Sequence, residues 1–343
     1  MAAVSVLLFL AAAAVIGPTS PSPKATSPAP HWAPATMRLV QTIPMPGVEG
    51  RIDHLALDPI GARLFLAAIG NGSVEVVALG AGARVRSLSG FREPQGIAYL
   101  PESGELVVAC GGDGALVFLD GRTFEWKRRV DLGEDADNIR LDPVAQRLYA
   151  GFGKGGLAIV DARGGKKLAE IPLPAHPEAF LIDSGRRVAY VNVPGADQIA
   201  VVDLERKAMS ASWPLSEARA NFPMALDPIR GRLFAGCRRP ARILVFDLPG
   251  GSILSRMDAP GDVDDIFWDR ARGRLYATGG EGFLDVFTEE SDGRWNRTER
   301  VPTAPGARTS LFDEGRGRLY VAAPRGGGRD AALLVYEAGP VPR

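Results

Sequence analysis

The chain has 343 residues, and its 40 Lys and Arg balance 40 Asp and Glu, so the formal net charge is zero. That balance argues against nucleic acid, which needs a basic stripe, and against electrostatic binding to an anionic membrane. Apolar residues make up 46%, as in an ordinary globular protein, and 41 Gly with 27 Pro fit a chain of many tight turns.

Residues 4–16 form an apolar run. It is too short for a membrane span, which needs about 17–25 residues, and it fits the core of a secretory signal over residues 1–20. No Lys or Arg precedes it, and the competing reading is an apolar tail. Residues 21–36 are rich in Pro, Ser, Ala and Thr and read as a linker that cannot bury a core. His31 and Trp32 fall inside it and have no assigned role. The expected location is therefore the periplasm or the medium, with one folded unit over residues 37–343.

From residue 37 onward one phrase recurs, clearest in residues 221–248, NFPMALDPIRGRLFAGCRRPARILVFDL. It reads as three short strands, the first two joined by the turn Asp227-Pro228-Ile229-Arg230-Gly231. An apolar residue opens each copy: Leu55, Ile97, Ile139, Phe180, Met224, Ile266 and Leu311, spaced by 42, 42, 41, 44, 42 and 45 residues. The Asp-then-Arg-Leu turn is sharp at Asp58, Asp142 and Asp227, weaker at Asp269 and Asp313, and most drifted at Pro101 and Asp183. A period of about 40–45 residues with several strands per unit is that of a propeller blade. Fourth strands are expected near 84–88, 126–132, 167–173 and 294–301. The last copy lacks one, and residues 38–44 ahead of the first copy supply it. The expectation is all-β: a seven-bladed β-propeller of four-stranded blades, with an N-terminal strand completing the last blade and leaving no long open edge.

The phrases Arg147-Leu148-Tyr149-Ala150-Gly151 and Gln198-Ile199-Ala200-Val201-Val202-Asp203-Leu204 resemble the YVTN-type repeat of the bacterial YncE-like family. The resemblance implies the fold across nearly the whole mature chain. It implies no single activity, because similar propellers serve as lactonases, as dehydrogenase subunits and in unknown roles.

Cys110 and Cys237 hold equivalent places three blades apart, too far for a disulfide, which needs Cα atoms closer than about 7 Å. Three histidines are too few for a multinuclear copper or haem-ligating propeller. No serine has a nucleophile-elbow context.

The segments just before each opening residue all differ, and they are polar. In a propeller they ring one mouth of the axial channel. They bring His54, Gln95, Asp137, Asn138, His176, Glu178, Asn221, Asp264, Asp265 and Arg308 towards one axis, the default place for a site. One reading gives Asp137, Glu178, Asn221 and Asp264 to a hard cation such as Ca²⁺, with His54 or His176 moving a proton. That set resembles the Glu/Asn/Asn/Asp calcium arrangement of the gluconolactonase-type lactone hydrolases. A second reading has Arg308 and the rim histidines hold an anion such as a carboxylate or phosphate, and for a ligand of any class the expected binding residues are His54, Gln95, Asn138, His176, Asn221 and Arg308. A third has these groups satisfy one another and channel water. The expected partner is a small molecule or a protein at the mouth, held by a monomer; the basic loops 237–242 and 324–329 read as solvated, the alternative being contact with an acidic partner or substrate.

Overall fold

The computed structural model describes Met1 and residues 36–340; the expected signal over 1–20, and nearly all of the linker over 21–36, lie outside the described residues. The described residues form seven four-stranded antiparallel sheets. Innermost strands touch in sequence order, and the last, Ser310–Asp313, touches the first, Leu55–Asp58, so the sheets close into a ring. The fold is a seven-bladed β-propeller. Among the described residues no helix is long and apolar enough to cross a membrane.

Each opening residue falls in an innermost strand, and the Asp-to-Arg phrase has a physical basis. The Asp ending an innermost strand pairs in register with the Arg starting the next, as in Asp58 with Arg63, Asp142 with Arg147 and Asp227 with Arg232. Its carboxylate also accepts backbone N–H groups in the intervening turn, as Asp58 does from Ile60 and Gly61. Blades two and four lack this pair, with Leu100 opposite Glu105 and Asp183 opposite Val188, the drift visible in their sequences. The strand Met37–Met45 pairs antiparallel with Ala331–Ala338 and completes blade seven.

The core lies between blades rather than within them. Leu64 and Leu66 of blade one share a cluster with Tyr320 and Leu333 of blade seven. Aromatic side chains fill the wedges: Trp213 of blade four lies against Tyr190 and stacks on Phe246 of blade five. Cys110 and Cys237 are buried and unlinked, and burial raises both thiols to about 12, so neither is a reactive thiolate.

Candidate functional site

The polar segments ahead of the innermost strands do gather at one mouth. A cavity of about 220 Å³ is lined there by His54, Gln95, Asp137, Asn138, His176, Glu178, Asp264 and Arg308, together with Arg51, Asp53, Asp135, Phe222 and Arg238. Entry to the innermost strands is made through left-handed residues: Gly50, Glu93, Asp135, Ala220, Asp262 and Gly306 all have positive φ. Four of the six are not glycine, and such backbone persists only where surroundings enforce it. In blades two, five and six the segment is not a loop but a strand extension carrying a register shift, between Pro94 and Ile97, Asn221 and Met224, and Val263 and Asp265. A bulge re-aims side chains, and here it turns Gln95 and Asp264 to the cavity.

One arc of the rim runs through blades one to four. Arg51 bonds Asp53 at 2.8 Å and donates to Gln95 Oε1 at 3.3 Å; Gln95 donates to Asp135 Oδ1 at 3.2 Å; Asp135 lies 3.5 Å from His176 Nδ1. Asp137 sits between two histidines, with Oδ1 at 3.7 Å from His54 Nε2 and Oδ2 at 3.7 Å from His176 Nε2. The neighbouring Asp137 carboxylate, and the Gly153 carbonyl that accepts from Nδ1 at 2.6 Å, hold His176 up to about 9. Burial, with Asp137 close by, pushes Glu178 up to about 8.

The other arc, through blades five to seven, is a closed set of ion pairs. Arg308 reaches Asp262 at 2.8 Å and Asp264 at 3.0 Å, and Arg238 reaches Asp262 at 3.2 Å and bonds Asp264 as well. The Arg238 guanidinium lies 3.6 Å from the Phe222 ring centre. Burial pushes Asp264 above the ordinary carboxylate range, against the pull of both guanidiniums. Below the mouth the channel continues as a cavity of about 480 Å³, walled mainly by aliphatic and aromatic residues; Asp265 and Arg140 line it, and His54 and Ala179 line both cavities. Burial in this shaft raises Asp265 to about 7, and its carboxylate accepts from Ser310 N–H at 2.7 Å.

Two expected members sit apart from the mouth. Asp265 belongs to the shaft, and Asn221 is fully buried outside the lining, its amide donating to Asn192 Oδ1 at 2.7 Å and Gln198 O at 3.0 Å. The four-oxygen set drawn for calcium is thus not gathered at one point: Asp264 is committed to two arginines and Asn221 to an inter-blade contact. What does gather is Asp137, His176 and Glu178, whose ligand atoms all lie within 4.8 Å of one another. Arg238, in the basic loop expected to be solvated, instead stands at the mouth, because the long hairpin of Arg232–Arg239 and Ala241–Asp247 carries it back over Phe222.

No family model matches the chain, and no curated protein matches it. Among solved structures it is similar to a chain in the crystal structure of a mitotic checkpoint complex, at 13% identity and a TM-score of 0.76, over 96% of this chain and 99% of that one. It is also similar to a chain of the Kuenenia stuttgartiensis hydrazine synthase, at 14% identity and a TM-score of 0.71, over 84% and 96%. At such identities the likeness shows the fold alone.

Proposed function

We propose that this chain is an exported, YncE-like binding propeller that holds a small anionic molecule at the mouth of its axial channel. The observation that supports this best is the arc of Arg238 and Arg308, fixed by Asp262 and Asp264 at the edge of a polar cavity that His54 and His176 also line. Guanidiniums held in place lose little freedom on meeting a carboxylate or phosphate, so more of the contact energy appears as affinity. Export is supported by the apolar run at 4–16 and the Pro- and Ser-rich stretch after it.

A thermal-shift panel of inorganic phosphate, mono- and dicarboxylates and aldonolactones tests the reading, on protein recovered from the periplasm or medium with the signal removed. One anion class is expected to raise Tm, by the equivalent of about 2.7 kcal/mol at a hundredfold excess over Kd and rising with the logarithm of its concentration. Arg308→Ala is expected to weaken that anion at least about tenfold, the cost of one charge-assisted contact. Shifts no larger than those of matched chloride, or equal binding by the variant, would refute it. A second reading, metal-assisted opening of a lactone, is favoured by His54 Nε2 standing 3.7 Å from Asp137 beside His176 and Glu178. Consumption of a panel lactone that stops on adding chelator would select it.

A further inference from the structure

We propose that Asp137, His176 and Glu178 bind one divalent transition-metal ion, of the zinc, manganese or iron type, on the arc of the mouth built by blades three and four. Its role in capturing a ligand rests on the anion-binding reading above; the binding of the ion does not.

Four observations carry the site. Three ligand atoms, one from each residue, lie within 4.8 Å of one another. Around an ion with bonds of about 2.0–2.2 Å, ligand atoms stand roughly 3–4 Å apart, so a small closure completes the set. His176 Nε2 and Asp137 Oδ2, at 3.7 Å, already stand so.

The second observation fixes the imidazole. A carbonyl oxygen only accepts, so the 2.6 Å contact between His176 Nδ1 and Gly153 O places a hydrogen on Nδ1. Nε2 is the nitrogen left to coordinate, and it is the one beside Asp137. This is the outer support that metal-ligating histidines ordinarily carry. The second oxygen of Asp137 faces His54 Nε2 at 3.7 Å, a proximity longer than a hydrogen bond.

The third observation is an orphan. Asn138 lines the same cavity, is only 1% exposed, and its Oδ1 has no hydrogen-bond partner among the described residues. A buried acceptor left unpaired costs about 1–3 kcal/mol, and a cation or its bound water would satisfy it.

The fourth is the donor chemistry. Two carboxylates neutralise a divalent charge, and an imidazole suits a borderline ion, whereas Ca²⁺ asks for about 6–8 oxygens. With the ion in place, Asp137 and Glu178 would no longer repel an anion. The ion and the Arg238–Arg308 arc would then face it from different sides of the cavity.

The test uses the full mature chain, freed of metal by chelator. It is titrated with Zn²⁺ by calorimetry and with Co²⁺ by visible absorption, with Ca²⁺ alongside. One Zn²⁺ or Co²⁺ per chain is expected, bound more tightly than Ca²⁺. His176→Ala and Glu178→Gln are each expected to weaken it at least roughly 10–100-fold, the loss that even outer supporting residues cause. Glu178→Gln keeps the side-chain volume, so it decides should His176→Ala fail to fold. Binding that neither variant weakens, no binding above the variants, or a preference for Ca²⁺ would overturn the proposal. Metal binding without any anion response would keep it while refuting the anion reading; an anion response without metal binding would do the reverse.

Discussion

The Asn221 carboxamide spans blades four and five: its nitrogen donates to Asn192 Oδ1 and to the Gln198 carbonyl, and Asn192 donates in turn to the carbonyls of Phe222 and Pro223. Asn192 and Asn221 themselves are fully buried and outside the lining of the mouth. Asn221→Ala would strip a donor from the buried Asn192 Oδ1 and the half-buried Gln198 carbonyl, and a buried acceptor costs about 1–3 kcal/mol when orphaned. Denaturant unfolding is expected to show a loss in that range, with anion affinity unchanged. Arg308→Ala should weaken the anion, and because it also takes a guanidinium from the buried Asp264, its anion response is read against its own ligand-free Tm. A variant at 221 as stable as the parent would remove Asn221 from the joint between blades. The residue pattern alone did not distinguish these two fates, because both residues precede an innermost strand. In blade five a register shift separates Asn221 from Met224, and strand pairing sets the amide opposite Cys237 rather than in the cavity. Asp137, His176 and Glu178 were legible one by one. Their meeting was not, since it depends on the Gly153 carbonyl holding one ring in place.

At the scale of the strand, the sequence's repeat period carried nearly everything needed for the fold, because turn chemistry is local. An Asp that accepts turn N–H groups and pairs with the following Arg must recur with the turn it builds. The bulges were not legible. Every outer strand meets its neighbour with a register shift, for example between Val76 and Val77, Ile159 and Val160, and Val245 and Phe246. A bulge leaves no fixed residue signature when an outer strand is half exposed; it bends that strand and adds twist. The closing strand Met37–Met45 carries its own shift, between Leu39 and Gln41, so it behaves as an outer strand donated from the other end of the chain. It also covers apolar surface, since Ile43 and Met45 belong to the cluster joining blades seven and one. Removing residues 1–45 would uncover that cluster and leave Ala331–Ala338 as an unpaired edge. Such a chain is expected to elute as oligomers in size-exclusion chromatography and to melt lower than the parent. A monomer of parental Tm would show that the ring holds without its closing strand.

Across the whole molecule, no blade owns a core. Each of the seven buried clusters draws on two consecutive blades: one joins Leu116 and Phe118 to Leu148 and Ala158, another joins Phe234 and Ile243 to Leu275 and Phe287, and the seventh closes the circle between Tyr320 and Leu64. An open stack of repeats can lose an end unit at the expense of one interface, so its ends fray. In a closed ring any blade that leaves breaks two interfaces and opens its neighbours. Unfolding is therefore expected in one step, although the chain is long enough that independent domains would otherwise be the prior. The tryptophans make this measurable, since Trp126 lies in blade two, Trp213 in blade four, and Trp268 and Trp295 in blade six. With Trp32 also replaced, Phe replacements that leave one of these blades reporting at a time should give fluorescence transitions with a common denaturant midpoint, coincident with far-ultraviolet circular dichroism. Midpoints that separate by blade would mean the ring opens piecewise, and the mouth would then have no rigid frame on which to fix Arg238 and Arg308 against Asp137, His176 and Glu178.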